Sequence, residues 1–126
     1  DMNFKAVMNT CKTVIPSMLA QGSGRIINVS ARAAEQSKAN MAPYCISKSA
    51  VVTLSECLAA EHKMNNITVN SILPGTIDTP TNRADMPNAD FSNWVPCEDI
   101  AAAMAFLCSD QAKSISGASI PIYGRS

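Results

Sequence analysis

Two short runs rich in β-branched residues, Ile26-Ile27-Asn28-Val29 and Ile67 to Leu73, are separated by a segment whose apolar residues recur at helical spacing. Runs this short, bounded by glycine, proline or small polar residues, read as buried strands. A strand, a covering helix and a second strand require a crossover, which lays the two strands parallel in one sheet. Most all-helical and antiparallel architectures are thereby excluded.

The remaining segments extend that pattern. From Val7, the residues Met8, Cys11, Val14, Ile15, Met18 and Leu19 form one apolar stripe of a helix over 2–19, which Pro16 is expected to bend and Gly22-Ser23-Gly24 to end. Pro43 opens a second helix running to His62, with Ile46, Ala50, Leu54, Cys57 and Leu58 along one side. Asn65-Asn66 ends it, and Pro74-Gly75 breaks the strand that follows. The stretch 76–96, carrying Pro80, Pro87 and Pro96 among Asp and Asn residues, is too long for a simple connector and reads as a lid. Glu98 to Ser109 is helical again, with Ile100, Met104, Leu107 and Cys108 inward, and Ser119 to Ile122 forms a last short strand. The expected fold class is α/β, a parallel sheet with helices on both faces. Three strands make only part of such a sheet, and a chain opening directly at a helix, without an initiator methionine, reads as the later part of a longer one.

Composition narrows the function. The 126 residues suit one domain with one core, and 47% apolar against 16% charged residues suits a packed protein. Ten basic and ten acidic side chains cancel without forming a long run of either sign, which argues against nucleic acid and membrane surfaces as partners. No apolar run is long enough to span a bilayer and no secretory signal opens the chain, so it reads as soluble and cytoplasmic. Cys11, Cys45, Cys57, Cys97 and Cys108 never form a C-x-x-C pair, and His62 is the one histidine. No metal site is expected, and the cysteines read as buried free thiols. A Ser-His-Asp arrangement would have to use His62, late in a helix, and is set aside.

Tyr44 and Lys48 stand four residues apart at the start of the second helix, so both side chains emerge on one face. A phenol ordinarily loses its proton near pH 10, and a neighbouring ammonium favours its anion. That makes lysine a suitable neighbour for a tyrosine acid. Alone, the spacing equally describes a surface lysine beside a half-buried tyrosine.

The surroundings are more specific. Residues 25–52, RIINVSARAAEQSKANMAPYCISKSAVV, resemble the active-site segment of the short-chain dehydrogenase/reductase family: a strand ending Asn-Val-Ser, a loop, then Tyr-x-x-x-Lys. ITVNSILPGTIDTP, from Ile67 to Pro80, is similar to the family's next strand and Pro-Gly turn, and Met2-Asn3-Phe4 to the start of its preceding helix. The likeness covers essentially the whole chain. It implies the C-terminal half of a doubly wound, Rossmann-type domain, without the N-terminal βαβ dinucleotide-binding unit.

The resemblance also implies roles. Tyr44 is the acid or base at the substrate oxygen, Lys48 supports it and holds the nicotinamide ribose, and Asn3 holds a water linking Lys48 to solvent. Pro74, Gly75, the backbone of Ile77, and Thr79 face the nicotinamide carboxamide. Asn28 ties the strand end. The cofactor is NAD or NADP, with NADH slightly favoured, since the residues that choose lie in the absent unit. The family's substrate-orienting serine, thirteen residues before the tyrosine, is here Ala31; either Ser30 reaches in or the site works without it, and the second is preferred.

The segment Asp78 to Trp94 is similar to that of dihydropteridine reductases, a branch in which the serine is also alanine. This implies a flat dihydropterin substrate with Ala31, Asn82, Arg83, Phe91 and Trp94 around it, although Phe91 and Trp94 more commonly anchor a lid, and Asn82 and Arg83 equally suit its backbone. A 3-oxoacyl or ketone reductase of the same family, and a non-catalytic dinucleotide-binding sensor or scaffold, are the alternatives. Helices 2–19 and 43–62 correspond to those through which the family commonly builds a homodimer or homotetramer.

Overall fold

A computed structural model describes residues 2–126, the side chain of Met2 excepted. Helix α1, Met2–Gln21, leads through a Gly22 turn into strand β1, Gly24–Val29. Helix α2, Ala42–His62, and strand β2, Ile67–Pro74, follow. Helix α3, Pro80–Asp85, helix α4, Cys97–Cys108, and strand β3, Ser119–Ile122, complete the order. The sheet runs β1-β2-β3 and both pairings are parallel, Gly24 opposite Ile67 and Ser71 opposite Ser119. The α/β class and the crossover order expected from the sequence are those observed.

β2 lies between the other two strands, and every one of its eight residues is buried. A strand paired along both edges and covered on both faces cannot alternate apolar with exposed polar residues. Its polar side chains are used inside instead: the Asn70 amide donates to Ile115 O and accepts from Ala118 N–H, each at 3.0 Å. Those two bonds fix the loop that delivers β3.

Cys11 and Ile15 of α1, Ala59 of α2, Ile26 of β1 and Ile67 and Val69 of β2 form one core cluster. Side chains alternate along β1, so Ile26 and Asn28 both face the α1–α2 pair. There Asn28 donates to Ser55 Oγ at 2.9 Å, Ser55 donates on to Val51 O, and the Cys11 thiol lies against Asn28 Oδ1. Burial pushes the Cys11 thiol up, partly offset by its bond to Asn28.

Four local expectations need correction. α1 runs unbroken through Pro16, which is exposed, so the lost hydrogen bond lies on the solvent side. The buried stripe of α2 is Ser47, Val51, Ser55 and Ala59 rather than the larger residues, and Ile46 is 69% exposed. Small side chains let α2 seat closely on the sheet and leave the bulky ones on its flank. In α4, Leu107 is buried while Cys108 is exposed, and of the five free thiols only Cys11 and Cys45 are buried. The lid, finally, contains regular structure: Thr79 caps α3 by accepting from Asn82 N–H, with Pro80 as the first helical residue.

Candidate active site

The C-terminal ends of β1 and β2 open side by side, because the strands are parallel and in register up to Val29 opposite Ile72. The carboxyl ends of parallel strands are the side on which open α/β sheets hold ligands. Here it is a cleft of ≈ 170 Å³ whose walls include Ala31 and Arg32 beyond β1, Tyr44 of α2, and Pro74, Gly75 and Thr76 beyond β2.

Tyr44 is 40% exposed, in the first turn of α2, which starts at Ala42, one residue before the expected Pro43. Lys48 is one turn on, its Nζ 5.8 Å from the centroid of the Tyr44 ring. The loop ahead of the helix is held from both sides. Ser30 donates to Lys48 O at 2.7 Å, and Ser49 to Ala34 O at 3.1 Å. The Ser30 hydroxyl is thereby turned to the backbone of α2, and Ala31 is the residue of that pair that reaches the cleft.

At the end of β2, Gly75 N–H donates to Ile122 O at 2.9 Å. A Cβ at Gly75 would collide with the Arg32 guanidinium and lie 3.1 Å from Tyr123 O, so this position takes glycine for close approach. Beyond it, Val95 N–H donates to Thr76 O and Asp78 N–H to Val95 O, a parallel bridge that closes the base of the lid. In such a bridge the N–H and C=O of Ile77 point away from Val95. The Ile77 carbonyl accepts from Asn82 Nδ2 at 2.8 Å.

The lid residues are bonded chiefly to one another. Arg83 grips Asp78 with two nitrogens, at 2.6 and 2.9 Å, and lies over the Phe91 ring at 4.6 Å. Phe91 in turn meets Trp94, their centroids 4.7 Å apart. The Arg83 hydrogen bond holds the Asp78 carboxyl below its ordinary value. Asn82, Arg83, Phe91 and Trp94 do not line the cleft, nor does Asn3, which is exposed in the first turn of α1. The cleft brings together Ala31, Tyr44, Pro74 and Gly75 from the expected set.

Arg32 and Lys38 also line it, and sequence reasoning passed over both. Arg32 Nη2 donates to Ser126 Oγ and Tyr123 O, and its guanidinium carbon is 4.3 Å from the Tyr123 ring centroid. Burial raises the Tyr123 phenol above its ordinary value, and Glu35 adds to that. The available signal was a loop of twelve residues, 30–41, carrying two basic side chains between a strand end and the Tyr44 helix.

Among the described residues no cluster of His, Cys, Asp or Glu is arranged to hold a metal ion, and no helix is long and apolar enough to cross a membrane. A family model described as short chain dehydrogenase matches residues 1–90. The 3-oxoacyl-[acyl-carrier-protein] reductase FabG of Staphylococcus epidermidis is 35% identical over 132 residues, covering 98% of this chain and 54% of that protein. A gluconate 5-dehydrogenase from Burkholderia cenocepacia, in complex with NADP and tartrate, superposes with a TM-score of 0.87 at 29% identity, covering 97% of this chain and 52% of that one. A 4-hydroxyisoleucine dehydrogenase complexed with NADH gives 0.84 at 30% identity, covering 97% and 55%. The chain spans about half the length of the relatives it matches. On the family match, the sequence kinship and the shared parallel sheet, the chain belongs to the short chain dehydrogenase family.

Proposed function

We infer that the protein is an NAD(P)-dependent oxidoreductase, moving a hydride between a nicotinamide cofactor and a carbonyl, alcohol or imine-type substrate, with Tyr44 as the acid or base. The observation that carries this is Tyr44 on the wall of a cleft at the strand ends, with the Lys48 ammonium one helical turn behind it. Residues 1–126 form one part of a Rossmann-type domain, with the active-site segment at 25–52 and the lid at about 76–96.

The residues present fit the nicotinamide end of the cofactor. At the end of β2 the wall opposite Tyr44 is Pro74, Gly75 and Thr76, with small side chains that let a flat amide approach the backbone. The family resemblance assigns the Ile77 backbone, its N–H turned from Val95, and Thr79 to the carboxamide. When bound, the cofactor supplies or accepts the hydride. Tyr44 gives its proton to the substrate oxygen in the reducing direction and takes it back in the other. Lys48 sets a positive charge beside the phenolate and holds the ribose, and Asn3 holds a water that links Lys48 to solvent. Ser30, its hydroxyl committed to Lys48 O, fixes the helix rather than the substrate.

The acceptor is a carbonyl or imine-type compound. 3-Oxoacyl reduction is supported by the FabG kinship and a dihydropterin by Ala31 in the serine position. The outer flanks of α1 and α2 are the surfaces through which a homodimer or homotetramer forms, supported by an apolar groove lined by Met8, Ile15, Leu54 and Leu58. The test is oxidation of NADH and NADPH with a 3-oxoacyl thioester and, separately, a quinonoid dihydropterin. Turnover lost in Tyr44→Phe supports the enzyme. A sensor or scaffold would keep cofactor binding in that variant and show no turnover in either form.

A further inference from the structure

Among the described residues that line the cleft, Arg32 and Lys38 are cations and none is acidic. Among the described residues the ion pairs are Asp78 with Arg83 and Glu61 with His62, so neither cation of the cleft is matched to a carboxylate. Glu35, in the same loop, is exposed and accepts from the Tyr123 hydroxyl at 3.5 Å.

Arg32 is also fixed in place. Its guanidinium lies on the Tyr123 ring, and Nη2 is held by Ser126 Oγ and Tyr123 O, all three from the segment after β3. Its Nε is buried without a partner. Gly75 supplies the room, since any side chain there would displace the guanidinium. A half-buried guanidinium braced by neutral groups and left without an anion, beside a second cation, is a prepared site for an anionic oxygen group. Guanidinium geometry suits the flat, two-oxygen face of a carboxylate.

We propose that the substrate carries a carboxylate, bound by Arg32 with Lys38 assisting, so that its oxo or hydroxyl group is presented to Tyr44. The substrate class is then a small oxo or hydroxy acid. This rests on Tyr44 being the proton donor, but on neither acceptor named above. Arg32 orients the substrate and sets specificity. With Ala31 offering no hydroxyl to the carbonyl, the anchor at the other end of the molecule takes over positioning.

The experiment uses the protein with its cofactor-binding half and reduced cofactor, and measures kcat and KM for 2-oxobutanoate, acetoacetate and levulinate, each against its methyl ester. At least one acid is expected to exceed its ester in kcat/KM by about tenfold or more, the scale of a charge-assisted hydrogen bond. That ratio is expected to fall toward unity in Arg32→Gln, chiefly through KM. Because Arg32 also braces the tail, Lys38→Gln is the second variant; Lys38 is exposed, and its loss should lower the same ratio by a few-fold without disturbing the fold. Calorimetric titration of the same pairs reads the preference without turnover. Esters accepted as well as acids, or a ratio unmoved in both variants, overturn the carboxylate site while leaving hydride transfer intact. No turnover of any oxo compound overturns both.

Discussion

Ser30 and Lys48, eighteen residues apart in sequence, are joined by a 2.7 Å hydrogen bond from the serine hydroxyl to the lysine carbonyl. It fastens the exit of β1 to the second turn of α2 and sets the height of Tyr44 above the cleft. The two residues are buried or half-buried, so water does not compete freely for the bond. Ser30→Ala is expected to cost about 1 kcal/mol of stability, with at most a few-fold loss of kcat. A urea titration and a rate comparison check both. A loss of kcat approaching that of Tyr44→Phe would return Ser30 to the substrate.

Gly75 separates the cleft from the tail. Gly75→Val puts atoms where the Arg32 guanidinium lies and presses on Tyr123 O, so it should destabilise by about 1–3 kcal/mol. The expected signature is a lowered urea midpoint with unchanged slope. A variant as stable as the parent would mean that Arg32 moves aside at no cost.

The buried chain of Asn28, Ser55 and Val51 ties sheet to helix. Ser55→Ala leaves the Asn28 amide without its acceptor in a dry contact, at about 1–3 kcal/mol. The double variant Asn28→Leu with Ser55→Ala should recover part of that loss. Measured stabilities of the two singles and the double form a cycle that reads the coupling.

The lid is expected to loosen in acid. Asp78 is held below its ordinary value of 3.8 by its hydrogen bond to Arg83. A depressed carboxylate contributes stability that is present above its unfolded value and is lost as pH falls through the folded one. Trp94, the one tryptophan, lies at the end of the Arg83–Phe91 stack and reports on it. Its fluorescence should hold steady from neutrality to about pH 5 and change only below the ordinary carboxylate value. Asp90, also depressed by its bonds to Ser92, titrates in the same range. Asp78→Asn separates the two, and should remove most of the change if Arg83 carries it.

How much of this was legible in the sequence depended on whether the deciding physics was local. β1, β2 and β3 were bounded within a few residues because short β-branched runs between glycine and proline admit little else. The buried stripe of α2 is not legible from its large residues, because Ser47, Val51, Ser55 and Ala59 pack by being small. Thr79-Pro80 is a readable helix start, a capping threonine followed by proline, inside the stretch 76–96 that reads as a lid. Tyr44, Ala31, Pro74 and Gly75 were found because they lie at strand ends and in one family motif. Arg32 was not, because its position depends on Tyr123 and Ser126, some ninety residues away, which no local pattern brings near. Asn82, Arg83, Phe91 and Trp94 could not be divided between substrate and lid without the bonds that occupy them.

The central claim is that Tyr44 carries proton transfer in a nicotinamide-dependent reaction, and the most direct measurement is the rate of NADH and NADPH oxidation with an oxo acceptor in the parent protein and in Tyr44→Phe. Removing a general acid typically costs 10²–10⁴-fold, so the expected result is turnover in the parent, a loss of about that size in kcat for the variant, and cofactor affinity within a few-fold of the parent. Equal turnover in both forms would contradict the account, and so would a protein that binds the dinucleotide but reduces no oxo compound.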